Sequence, residues 1–218
     1  IQAILNQIKN EISEKKYELA FKDLDKFLPY FPDNEQLHKL LYIATKTKNP
    51  RNLENVLIDS AAVFKNDPKY SVEYGLYLFE KNKQFEALST LRRAFLVSIL
   101  TKGFDADEEI LFFIRQVYYD LGRNQDAVAT SDLAGKIKNR QNQSYEELNS
   151  LIKLHNNNRE FIIFTLFYLS ENGMKKEYEE ISELLQKRDQ TMQDKEYIDI
   201  LGAFSFENLT LETERQFD

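Results

Sequence analysis

Leu121-Gly122-Arg123-Asn124-Gln125-Asp126-Ala127 decides how this chain is read. It is a short polar turn holding one glycine, with an apolar period on either side. Residues 108–121 before it and 125–137 after it repeat apolar positions every three or four residues, the spacing of one helical face. Two helices joined by so short a turn form an antiparallel hairpin. Working outward, the same unit recurs. Residues 70–80 and 85–97 flank Lys81-Asn82-Lys83, residues 36–46 and 53–64 flank Asn49-Pro50-Arg51-Asn52, and residues 1–13 and 17–28 flank Glu14-Lys15-Lys16. All four prolines, Pro29, Pro32, Pro50 and Pro68, fall between these segments. That placement suits a residue that costs a helix interior about 3 kcal/mol.

Composition supports an all-helical class. The 218 residues include only six glycines and four prolines, too few to punctuate a sheet protein. Apolar types make up 42 %, ample for a core and inconsistent with whole-chain disorder. The absence of cysteine excludes disulfides, thiolate metal sites and cysteine nucleophiles. The net charge of −7 is unevenly placed: residues 1–103 hold 16 bases and 13 acids, and residues 104–218 hold 13 bases and 23 acids. Bases interleaved with acids do not make the concentrated basic face of a nucleic-acid binder. No window approaches the roughly 18 apolar residues of a membrane span; the longest apolar run, Phe161 to Leu169, already contains a threonine. The chain starts at Ile1, so a signal or anchor ahead of it is an open alternative.

The repeated unit resembles the tetratricopeptide repeat family, whose period is 34 residues. The third unit carries Ser71, Tyr74, Gly75 and Leu78, then Ala87, Leu91 and Ala94 at the family's spacing. The fourth carries Leu111, Ile114, Tyr118, Ala127, Ser131 and Ala134, and the first carries Tyr17, Ala20, Leu24, Phe27 and Pro32. Small residues such as Gly75, Ala87 and Ala127 let neighbouring helices approach. The chain departs from the pattern in lacking tryptophan, in placing Glu54 where a small alanine would sit, and in the longer connection Thr101-Lys102-Gly103-Phe104-Asp105 before the fourth unit. The resemblance implies an all-α, right-handed solenoid of stacked antiparallel hairpins, about four of them over 1–137. Residues 138–218 then supply divergent helical hairpins that continue or cap the array. Helical segments are expected at 145–155, 161–172 and 174–187, the last pair forming one more divergent hairpin around Glu171-Asn172-Gly173 with Tyr178, Ile181 and Leu185. A closing helix is expected at 196–206, with an acidic end after it.

Little in the sequence carries chemistry. His38 and His155 stand far apart, without H-E-x-x-H spacing, and read as surface or core-edge residues. The glycines are each 13 or more residues apart, so phosphate loops are absent. The runs Asp107-Glu108-Glu109 and Glu177-x-Glu179-Glu180 read as solvated faces or favourable charge at helix starts. The sequons at Asn142 and Asn208 are too short a pattern to carry weight. No catalytic residue, metal or cofactor is expected.

The 28 Phe and Tyr residues are the stronger signal. Tyr74, Tyr118 and Phe85 read as packing between hairpins. The resemblance assigns a concave peptide-binding groove to Lys69, Val72, Leu76 and Phe79 of the third unit and to Phe112, Gln116, Tyr119 and Asp120 of the fourth. The family's clamp for acidic chaperone tails maps onto Leu5, Lys9, Leu40, Lys69 and Glu73, of which only Lys69 fits, so a partner with apolar anchors and basic groups suits the groove better. The expectation is a non-catalytic scaffold or adaptor that binds a protein segment. The alternatives are an assembly component that joins copies or a complex through its ends or convex face, including Ile1, Ile4, Leu5 and Ile8, and a regulatory domain of a larger protein. The expected location is the cytoplasm, with a periplasmic or exported setting as alternative.

Overall fold

Five inter-helix turns close in one way, and that repetition is what organises the molecule. The computed structural model describes residues 1–49, 52–139 and 143–189, the last five of these by backbone alone. The expected helix at 196–206 and the acidic end lie outside the described residues, as do Pro50 and Arg51. Eleven α-helices follow one another among the described residues: α1 (Gln2–Ser13), α2 (Tyr17–Phe27), α3 (Glu35–Lys48), α4 (Leu53–Val63), α5 (Pro68–Glu80), α6 (Gln84–Lys102), α7 (Glu108–Asp120), α8 (Asn124–Lys138), α9 (Tyr145–Leu154), α10 (Arg159–Glu171) and α11 (Lys175–Asp189). The turns after α1, α5, α7, α9 and α10 pass through positive φ at Lys15, Asn82, Gly122, Asn156 (followed by Asn157) and Gly173. The next amide then bonds a carbonyl five residues back, Lys16 to Glu11, Lys83 to Leu78, Arg123 to Tyr118, Asn157 to Ile152 and Met174 to Leu169. This is the Schellman closure, which satisfies the carbonyls a helix end leaves open. Gly122, at φ +71, enters that conformation without a Cβ penalty.

Helices pack in consecutive antiparallel pairs, α1 on α2, α3 on α4, α5 on α6 and α7 on α8. The first helices of successive pairs also touch, α1 with α3 and α5 with α7. Side chains cross between units: Glu54, at the position where the repeat wants a small residue, accepts from Lys83 at 2.8 Å. Three cores result. Leu5, Ile8, Ala20, Leu24, Leu37 and Ala44 join α1 to α3. Tyr42, Val56, Leu57, Phe64 and Tyr70 join α3 to α5. The third and largest runs from Leu78 to Ile181.

Two sequence expectations need correction. Phe85 does not pack between hairpins; it is 64 % exposed, because it sits in the first turn of α6 off the face carrying Ala87, Leu88 and Leu91. The long connection before α7 is mostly helix. α6 continues past Val97 to Lys102, because Ser98 and Ile99 are buried, and a 3₁₀ turn over Gly103–Asp105 takes up the rest. Tyr118 is fully buried and Tyr74 half-buried against the core. The N-terminal apolar face is spent inside the first hairpin: Leu5 and Ile8 are buried and Ile4 half-buried, which leaves Ile1 exposed. His38 is buried at a core edge, where its ring N–H donates to the Pro32 carbonyl at 2.6 Å.

Beyond α8, α10 is buried on nearly every side, the mark of a helix central to its surroundings. It packs on α6, α8, α9 and α11 and against the 3₁₀ turn, where Phe104 meets Phe164, Phe167 and Tyr168. A buried polar network fixes its start. The Arg92 guanidinium of α6 donates to Glu160 Oε1 at 2.8 Å and to the Tyr118 hydroxyl of α7. Tyr118 in turn donates to Glu160 at 2.9 Å. Burial pushes the Tyr118 phenol well above its usual range, so it remains a donor. Asn158 caps α10 through Phe161 N and donates to Asp126 of α8 at 2.9 Å.

A candidate groove along the first helices

α5 begins with Pro68 at its first position and Asp67 as cap, whose Oδ1 accepts from Lys69 N at 3.0 Å. Positions 69, 72, 73 and 76 then fall on one side of the helix, at three- and four-residue steps. Opposite them, α7 presents Glu109, Ile110 and Phe113. Between the two helices lies an open cleft of about 570 Å³, floored by Val72, Ile110 and Phe113 and rimmed by Lys69, Glu73 and Glu109. Asp107 closes one end, held by Lys102 Nζ at 2.6 Å and by Ser98 Oγ at 3.0 Å. A second cleft of about 200 Å³ lies toward α3 and α4, lined by Tyr42, Leu53, Leu57, Leu76, Tyr77 and Glu80.

Glu73 borders both clefts. Lys46 of α3 reaches its Oε2 at 3.2 Å and also donates to the Tyr42 hydroxyl at 2.8 Å. Burial pushes the Glu73 carboxyl above the usual carboxylate range. Glu109 and Glu80 have no ion-pair partner among the described residues.

Of the eight groove residues read from the sequence, Lys69 and Val72 line the larger cleft and Leu76 the smaller. Phe79 is half-buried against the core. Phe112 and Tyr119 stand 48 % and 47 % exposed on a neighbouring strip of α7. The Phe112 ring lies edge-on to Phe113, with the Arg115 guanidinium 4.5 Å above it. Gln116 is half-buried, and the exposed Asp120 accepts from Gln84 at 2.7 Å. Sequence reasoning missed Glu109, Ile110 and Phe113, and met Glu73 only as a clamp position that does not fit. The signal was present: Ile110, Leu111, Ile114, Val117 and Tyr118 centre the buried face of α7, and at 3.6 residues per turn Phe113 flanks that face while Phe112 and Tyr119 lie far from it.

Fold and cleft together define a helical-hairpin repeat protein with an open groove along its first helices. No family model matches the chain, and no curated protein matches it. Among solved structures it is similar to one described as "Functional Characterization of Pseudomonas Aeruginosa pilF", at 17 % identity, covering 82 % of this chain and 95 % of that one, with a TM-score of 0.34. At that score the likeness carries nothing further to this chain.

Proposed function

We propose that this chain is a non-catalytic interaction scaffold of the tetratricopeptide-like kind, a right-handed stack of hairpins that holds a segment of a partner protein along α5 and α7. The observation that carries this is the cleft of about 570 Å³ with its apolar floor of Val72, Ile110 and Phe113 and its polar rim. Apolar anchor pockets with polar borders are how extended or helical segments are gripped. Lys69, Val72, Glu73, Glu109, Ile110 and Phe113 line this groove and Leu76 lines the adjoining smaller cleft; Phe79, Phe112, Gln116, Tyr119 and Asp120 stand outside both linings and join the proposed groove only as its flanks. Self-assembly through an apolar N-terminal end has less to stand on, since Leu5 and Ile8 are buried in the first hairpin.

Crosslinking capture from the source organism tests this. Two variants are compared with the wild-type chain, Val72→Ala/Phe113→Ala for the floor and Phe112→Ala/Tyr119→Ala for the outer strip. Loss of the same partner by the floor variant, with circular dichroism retained, is the expected outcome. Capture unaltered by both variants overturns the groove.

A further inference from the structure

The acids along this groove are spaced for a particular occupant. Glu109 on α7 lines the larger cleft, Glu73 lines both clefts, and Glu80, about two turns further along the same side of α5, lines the smaller. The nearby cations are largely engaged: Lys102 on Asp107, and Lys46 on both Glu73 and Tyr42. Lys69 lies with its Nζ 5.9 Å from the centre of the Tyr70 ring. Four carboxylates and two lysines line the larger cleft, and the smaller adds Glu80 and the engaged Lys46. Between Glu73 and Glu80, on the same side of α5, stands Leu76, lining the smaller cleft with Leu53, Leu57 and Tyr77.

We infer that the groove takes an extended protein segment in which a bulky apolar side chain is flanked by lysine or arginine, the apolar group seated at Leu76 and the cations at Glu73 and Glu80, with Glu109 receiving a further basic residue. The spacing is consistent with that. Seven helical residues rise about 10 Å, which an extended chain covers in about three residues. Complementary charge selects the partner and speeds encounter more than it adds affinity, so acidic segments are turned away by the same carboxylates. Glu73 is the most responsive of the three, because it is half-buried and already disfavours its charged form. A second cation relieves that cost.

This rests on the groove of the proposed function, and the test keeps the two separable. A displayed library of random 12-residue peptides is panned against the full chain, against Glu73→Gln/Glu80→Gln/Glu109→Gln, and against Leu76→Glu, with helicity of each checked by circular dichroism. Enriched peptides should carry an apolar residue with Lys or Arg within three or four positions. A synthetic copy of one should bind the triple variant at least tenfold more weakly by fluorescence anisotropy and lose affinity as salt is raised. Enrichment of acidic or uncharged peptides, or affinity for the triple variant within twofold of wild type, overturns the inference while loss of binding by a folded Leu76→Glu variant leaves the groove standing. Equal capture by that folded variant overturns the seat at Leu76 and with it the inference alone, and a library that enriches nothing overturns both.

Discussion

Gly75 and Gly135 both lie inside helices, and their surroundings give them opposite roles. A Cβ built on Gly75 would stand 2.7 Å from Leu91 Cγ and 2.9 Å from its Cδ2, while one built on Gly135 meets nothing within 4 Å. Replacing a helical glycine by alanine gains about 1 kcal/mol of backbone entropy and propensity. Crowding a packed core costs about 1–3 kcal/mol. At Gly135 only the gain applies, so Gly135→Ala should stabilise the chain by about 1 kcal/mol. At Gly75 the clash is with the middle of a fully buried leucine, which has nowhere to go. Gly75→Ala should therefore be net destabilising, by up to about 2 kcal/mol. Urea denaturation of the two single variants reads both signs, and a stabilised Gly75→Ala would mean that α5 and α6 are not as close as the structure has them. Gly75 was legible in the sequence as a small residue at the repeat's close-approach position. The depth of its contact with Leu91 was not, because spacing gives a face and no distance.

At the scale of elements, the hairpins could be read almost to the residue. Turn sequences such as Lys81-Asn82-Lys83 interrupt strong apolar periods, and those after α1, α5, α7, α9 and α10 close by the same local hydrogen bonds. The course of the chain beyond α8 could not be read this way. The apolar run Phe161–Leu169 announces a buried helix, but nothing local says that it lies on α6 and α8. What seats it is a network between residues far apart in sequence, Arg92, Tyr118 and Glu160, and long-range pairing leaves no periodic trace. On α7 the cleft is lined by Phe113 where the sequence reading names its neighbour Phe112, for a related reason: the neighbour α5 is supplied by the fold. Glu160 and Arg92 are both buried, so removing one leaves an uncompensated charge. Glu160→Ala should cost about 3–5 kcal/mol. Arg92→Met/Glu160→Met, which removes both charges and keeps volume, should recover part of that loss, since apolar replacements of whole buried pairs are often neutral or better while the buried Tyr118 hydroxyl loses both bonds. Chemical unfolding of the singles and the double closes the cycle. A double variant as unstable as the sum of its singles would show that the network acts through shape and not through paired charge.

Taken as a whole, the molecule has three cores of unequal size, and repeat arrays add stability unit by unit instead of sharing one cooperative centre. The core joining α1 to α3 rests on a handful of buried side chains, two of them alanines. The largest core gathers buried residues from α5 to α11, with α10 enclosed in it. Local opening is easiest where buried apolar contacts are few. Hydrogen exchange should therefore separate the chain into regions. Amides of α6, α7 and α10 should exchange only through global unfolding. Those of α1 and α2 should exchange through a partial opening about 2 kcal/mol less costly, which is roughly a thirtyfold difference in protection. The groove lies toward the protected side of that boundary, because α7 and the later part of α5 belong to the large core. A partner segment bound between α5 and α7 then meets a preformed surface and loses little to ordering it. Equal protection from α1 to α10 would make the array one cooperative unit and remove the case for a rigid groove beside a looser N-terminal hairpin.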